Sequence, residues 1–218
     1  MKVKTVVKTR YIGEDDFEFT FEPVEDTISI KKTKDGFEAR YLVQDGMPEQ
    51  PDQFDDNNLF LVNYHRDFYI TKDKILKEND LKNWYRGEFD DYKEDPMDEN
   101  EIGKFPLAEK FHIFKLACYV HSGVYLYLDG DNHAYCQHDS WDTSRIGAVL
   151  ASKEEWPEEW PAREAARGLV ETWNQYLSGD VYGIVKETYD KDKKQIDEDS
   201  CWGFYGFEYA KQALETEI

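Results

Sequence analysis

Cysteine, positive charge and long apolar runs are what this chain has least of, and each shortage excludes something. Only three cysteines, Cys118, Cys136 and Cys201, occur in 218 residues. They form no Cys-x-x-Cys pair, so a disulfide framework is not expected and a reducing cytosol is the natural compartment. Lys and Arg number 27 against 47 Asp and Glu, a formal net charge of -20. Such a surface repels nucleic acid and anionic membranes and permits a basic partner, with a merely solubilising surface as the competing expectation. No Gly-x-Gly-x-x-Gly or Gly-x-x-x-x-Gly-Lys loop occurs, and the cations are scattered. Neither a nucleotide-binding loop nor a nucleic-acid-binding stripe is therefore expected. No run approaches ~18 apolar residues, and the opening MKVKTVVKTR leads into charge. That predicts neither a signal peptide nor a membrane span.

Aromatic residues, by contrast, are plentiful: 15 Tyr, 13 Phe and 6 Trp. Large rings fill a core with few residues, so a stable globule is expected despite the charge. Period-two alternation with intervening turn residues predicts antiparallel strands over much of residues 1–45. Lys2–Lys8 alternates, Phe17, Phe19 and Phe21 share one face, Ile28 and Ile30 another, and Phe37–Val43 follows Asp35-Gly36. Asn58–Arg66 and 145–151 read as strongly apolar strands, the second central in its sheet. Lys115–His121 and Val124–Leu128 form a pair joined at Ser122-Gly123. Thr71–Trp84 is a weaker helical stretch, and Pro106–Phe114 fits one or two helical turns.

The securest element is a helix over about 161–178. Pro161 opens it, and Ala162, Ala165, Ala166, Leu169, Val170, Trp173, Tyr176 and Leu177 keep helical spacing. Gly179 ends it. Asp180–Tyr189 is a strand, Asp190–Asp199 a charged hairpin tip, Ser200–Gly206 the return, and Glu208–Glu217 a short helix. The expected fold class is α+β: mostly antiparallel sheet, with one long amphipathic helix and shorter helices packed on it. The expected organisation is an N-terminal hairpin region over 1–50 and a main α+β domain over 51–218, or one continuous domain.

Chemistry-bearing residues concentrate between Leu116 and Ser152. A thiol with an imidazole is the minimum for a thiolate nucleophile, and a carboxylate can orient the imidazole. The catalytic candidates on that logic are His65, His121, Cys136 and Asp142, with His138, Asp139 and Ser144 nearby. No recognised hydrolase elbow surrounds them, and a hydrogen-bonded turn cluster is the competing expectation. His121, His133, Cys136 and His138 have zinc-compatible side chains, but their spacing matches no standard finger, so no metal and no cofactor are expected. Trp141, Ser144, Cys201 and Trp202 are the candidates for an aromatic small-ligand pocket.

The densest negative stretch runs from 88 to 101, with Glu88, Asp90, Asp91, Glu94, Asp95, Asp98, Glu99 and Glu101 against one lysine. Its spacing is not that of an EF-hand. Pro96 interrupts any continuous helix. These carboxylates are the candidate partner-binding residues, set against a merely solvated loop.

Three pieces carry a resemblance. The first is His121-Ser122-Gly123, then Cys136, Trp141-Asp142-Thr143-Ser144 and Ile146-Gly147. The second is Asp56-Asn57-Asn58-Leu59 with His65-Arg66. The third joins Tyr176–Gly183 to Asp199-Ser200-Cys201-Trp202-Gly203-Phe204-Tyr205-Gly206. Together, over roughly 55–66 and 116–210, they resemble a family of proteins from bacterial phages and mobile elements. Here Gln137–Ser140 is inserted before Trp141, Thr143 separates Asp142 from Ser144, and Arg145 replaces the family's glycine. The resemblance implies provenance: a phage or mobile-element product in the cytoplasm of a host bacterium. With the charge, it leads to an accessory protein acting by protein–protein interaction, an acidic anti-defence inhibitor of a host nucleic-acid-handling protein. The alternatives are a small cytosolic hydrolase built on the Cys/His/Asp cluster and a small-ligand binder.

Overall fold

The structure, a computed structural model, describes residues 9–10, 17–51, 58–63, 107–131 and 142–216. Its strands are β1 (Thr9–Arg10), β2 (Glu18–Phe19), β3 (Ser29–Lys32), β4 (Gly36–Gln44), β5 (Leu59–Asn63), β6 (Phe111–Val120), β7 (Val124–Leu128), β8 (Thr143–Ser152), β9 (Val181–Asp190) and β10 (Gln195–Tyr205). Its helices are α1 (Leu107–Lys110), α2 (Glu159–Ser178) and α3 (Phe207–Thr216). The strand pairs are antiparallel throughout, which makes the fold α+β. The chain forms two compact units, one made of 1–49 with 179–218, the other of 50–178. The Lys2–Lys8 strand and the Thr71–Trp84 helix expected from sequence lie outside the described residues.

In the unit built from 1–49 and 179–218, four strands run in the order β10-β9-β4-β3. Alternation sends Ala39, Tyr41, Val43, Val185 and Tyr189 to one face, where Phe17 and Phe19 cover them. Phe17 meets Tyr189 edge-on at 4.9 Å, and Phe19 meets Tyr41 likewise at 4.9 Å. Phe21 packs more loosely against the same cluster. The strand expected where Phe17, Phe19 and Phe21 alternate is only two residues long. Beyond Phe19 the backbone turns away from its ladder, and the Thr20 N–H donates to the Glu187 carboxylate instead. On the opposite face Leu42 and Ile184 receive Ala210 and Leu214 of α3.

In the other unit the order is β5-β8-β6-β7, with the apolar β8 in the interior of the sheet as its sequence implied. Leu59, Leu61, Phe114, Leu116, Cys118, Leu126, Leu128, Val149 and Ala151 face α2, which presents Ala162, Ala166, Val170 and Trp173. The reverse face is also buried at Val62, Ala117, Tyr127, Ala148 and Leu150, so β8 reads as continuous apolar sequence. A bulge opposite Leu116/Ala117 leaves Ile146 as the extra residue. Gly147 follows it, opposite Asn63, and a Cβ there would fall 2.0 Å from the Val62 carbonyl oxygen. No other residue allows β5 to approach so closely. Helix α1 is a single turn, shorter than expected over 106–114, because Phe111 already pairs with Ser152 in the sheet.

Helix α2 begins two residues before Pro161 and ends where Gly179 takes φ 74°, a left-handed conformation that costs glycine little. Its Asn174 side chain pairs with the edge of β7. Leu126 N–H donates to Asn174 Oδ1 at 2.7 Å, and Asn174 Nδ2 donates to the Leu126 carbonyl at 2.9 Å. One amide thus replaces a neighbouring strand at that point. Among the described residues no helix is long and apolar enough to cross a membrane.

Candidate functional site

The open end of the β6–β8 ladder gathers the chemistry that the structure describes around His121. Register sets Cys118 opposite Ser144 and Tyr119 opposite Thr143, and Val120 N–H donates to the Asp142 carbonyl at 2.8 Å. The turn after β6 then brings His121 Nδ1 to 3.4 Å from Asp142 Oδ2. The imidazole stacks beside Tyr119 at 6.2 Å and is 71% exposed. Two of the four catalytic candidates therefore meet. The contact is within ion-pair distance, a looser approach than the hydrogen bond that fixes an imidazole's tautomer in a catalytic dyad.

The nucleophile side is different. Ser144 Oγ lies 3.3 Å from Cys118 Sγ, and among the described residues it meets that thiol and not the imidazole. Cys118 is fully buried, and burial pushes its thiol pKa up, which suits an inert core cysteine. Its spacing with Leu116 marks it as an inward residue. His65, Cys136, Trp141, His133, His138, Asp139 and the carboxylates of 88–101 lie outside the described residues. Among the described residues no group of three or more His, Cys, Asp or Glu is disposed to hold a metal.

The pocket candidates divide between the units: Ser144 falls in 50–178, Cys201 and Trp202 in the other. Cys201 is exposed. Trp202 occupies a bulge in which Trp202 and Gly203 both stand opposite Gly183, and Gly203 takes φ 86°. The indole lies flat over Gly183, where a Cβ would fall 2.4 Å from Trp202 Cε3. Phe21 meets the ring edge-on at 5.5 Å, and Trp202 Nε1 donates to Ser200 Oγ at 3.2 Å. Two motifs that carry the family resemblance, Tyr176–Gly183 and Asp199–Gly206, thus touch through one glycine and one tryptophan.

The same sheet holds a carboxyl that sequence reasoning passed over. Glu187 is fully buried on the aromatic face of its sheet. Its Oε1 accepts Thr20 N–H at 2.8 Å and Gln195 Nε2 at 3.3 Å. Its Oε2 lies 2.5 Å from the Tyr189 hydroxyl, which is also 3.1 Å from the Glu18 carbonyl oxygen. That hydroxyl has one proton for two acceptors. Burial and the Glu187 carboxylate both push the phenols of Tyr41 and Tyr189 far above their ordinary range. Among the described residues the Tyr41 hydroxyl makes no well-aligned hydrogen bond, although the Phe21 backbone and the Glu187 carboxylate lie near it. A signal for Glu187 was present: in the run Val185-Lys186-Glu187-Thr188-Tyr189 it holds an inward position.

A second polar knot anchors α2. Arg167 grips Asp131 with a fork, Nε to Oδ2 at 2.8 Å and Nη2 to Oδ1 at 2.7 Å, and Arg163 Nη2 adds 2.8 Å to Oδ1. Arg163 also donates to the Asp129 carbonyl, and Gly130 between them turns at φ 84°. The Arg167 hydrogen bonds, and then those of Arg163, hold the Asp131 carboxyl at about 2, against an ordinary 3.8. Because the folded value is the lower one, the stabilisation is complete above about pH 4 and fades as pH falls toward 2. Screening at the partly exposed Arg167 limits it to about 1 kcal/mol. Thermal melts of the wild type and Asp131→Asn should differ at pH 6 and converge as pH drops below 4. A gap that stays constant down to pH 3 would contradict this origin.

Comparison of the chain with family models, curated proteins and solved structures finds no match.

Proposed function

We propose that this chain is an accessory protein of a phage or mobile element that works by binding another protein in the host cytoplasm. Its acidic surface engages a basic, nucleic-acid-handling host factor, with inhibition of a defence activity as the result. The supporting observation is the net charge of -20, with carboxylates left free of cations. Asp197, Glu198 and Asp199 stand exposed in succession on β10, and none forms an ion pair among the described residues. Uncompensated like charges cost stability unless something else uses them. The resemblance to phage and mobile-element proteins favours the same reading.

Affinity capture from a bacterial lysate tests it. The expected result is a partner with a basic surface, retained at low ionic strength and lost as salt approaches about 1 M, where charges are screened within ~3 Å. Capture of only neutral or acidic proteins, or retention indifferent to salt, would count against it. The His121–Asp142 contact favours a second reading, a small hydrolase in which this pair serves as base and orienting acid. There His121→Ala would abolish hydrolysis while leaving the thermal melt unchanged.

A further inference from the structure

Among the described residues β10 is the outer strand of its sheet, paired with β9 on one side only. Every residue from Ile196 to Trp202 is exposed. The direction of its backbone groups follows from two hydrogen bonds just beyond the strands. Asp45 N–H donates to the Val181 carbonyl at 2.8 Å, and Gly206 N–H donates to the Asp180 carbonyl at 2.8 Å. In an antiparallel ladder hydrogen-bonded and non-hydrogen-bonded pairs alternate. Odd-numbered residues of β9 therefore bond to β4, and even-numbered ones to β10. Asp197, Asp199 and Cys201 stand opposite Thr188, Lys186 and Ile184, so their backbone groups turn inward. Those of Glu198 and Ser200 turn outward, with no partner among the described residues.

Bulges at 195/197 and 201/204 bracket this stretch and set its length. Its side chains say what fits. Asp197 and Asp199 project on one face of the sheet and Glu198 on the other, the face of Glu187. A second copy of β10 would set acid against acid, which is unfavourable for directly opposed residues. A strand bearing successive cations would meet a carboxylate on each face.

We infer that the open side of β10, from Asp197 to Cys201, is a docking edge for an extended lysine- or arginine-rich segment, which joins the sheet as an added strand. The inference rests on the proposed basic partner and names how that partner is held. Main-chain bonds to Glu198 and Ser200 supply register, and the acid triplet selects for charge.

The test uses the full chain and a short peptide with a run of lysines flanked by valine and threonine. Hydrogen exchange should slow about tenfold at the Glu198 and Ser200 amides when the peptide saturates. A peptide with glutamates for lysines should have no effect. N-methylation of alternate peptide amides should abolish protection in one phase and spare it in the other. Protection indifferent to N-methylation would reduce the contact to surface electrostatics and overturn the inference, as would no slowing at these two amides. Protection that appears without peptide as protein concentration rises would assign the edge to self-association instead. Ser200→Pro separates this idea from the broader proposal, because the N–H it removes bonds nothing within the sheet. If that variant captures the basic host protein as well as the wild type does, the edge is not the docking site and the proposed function stands. If the wild type captures no basic protein, the proposed function fails whatever the peptide does.

Discussion

Trp173→Ala should cost the unit built from residues 50–178 about 4 kcal/mol, within the range seen for large-to-small changes in packed cores. Trp173 is fully buried at the centre of the cluster between α2 and its sheet, edge-on to Tyr176 at 5.4 Å. Removing the indole leaves a void that strands β5 to β8 and a helix cannot close without losing other contacts. Trp173→Phe gives the sharper contrast. Among the described residues the buried indole Nε1 has no hydrogen-bond partner, so its loss removes an unmet donor as well as some packing. The phenylalanine variant should stay within about 2 kcal/mol of the wild type. Urea unfolding of the three proteins measures both values. Near-equal losses for Ala and Phe would mean that the indole N–H has a partner in solution.

The second large effect is expected at Glu187, and it depends on what replaces it. Glu187→Ala strands the Thr20 N–H and leaves the Tyr189 and Gln195 side chains without their shared acceptor, all in buried or partly buried surroundings. The loss should be about 3 kcal/mol. Glu187→Gln keeps an acceptor for Thr20 and Gln195 while its NH2 donates to the Tyr189 oxygen. Tyr189 can then donate its single proton to the Glu18 carbonyl, so both of its neighbours are satisfied at once. The change also removes a carboxyl that stands opposite Glu198 across the β9–β10 ladder. Glu187→Gln should therefore be at least as stable as the wild type near neutral pH. A loss of stability in the Gln variant comparable to that of Ala would show that the buried charge itself holds the face together.

How much of this was legible beforehand depends on whether the determinant is local. Helix α2 announced itself because Ala162, Ala166, Val170 and Trp173 recur at helical spacing between Pro161 and Gly179. The bulge at Trp202-Gly203 falls where Gly203 and Gly206 lie among Trp202, Phe204 and Tyr205. Pairing partners were not legible. Nothing near Tyr41 indicates that Val185 will lie opposite it, since alternation fixes which face a residue takes but not which strand it meets. The same limit explains the thiol. Register sets Cys118 against Ser144, a meeting that no local pattern announces, while Cys136 lies outside the described residues. At 195–199 a run of polar residues resembled the tip of a hairpin. It is an outer strand instead, exposed on both faces and therefore without the apolar alternation that identifies inner strands.

The pairing of Gly36–Gln44 with Tyr182–Asp190 has a consequence for synthesis. Translation delivers β3 and β4 long before β9 and β10, and every residue of 50–178 emerges in between. The inserted unit can therefore complete its fold while the earlier hairpin still lacks its central partner strand, leaving Tyr41 and Leu42 uncovered. While residues 50–178 are being made the nascent chain carries an unfinished sheet, a period in which holdase chaperones act.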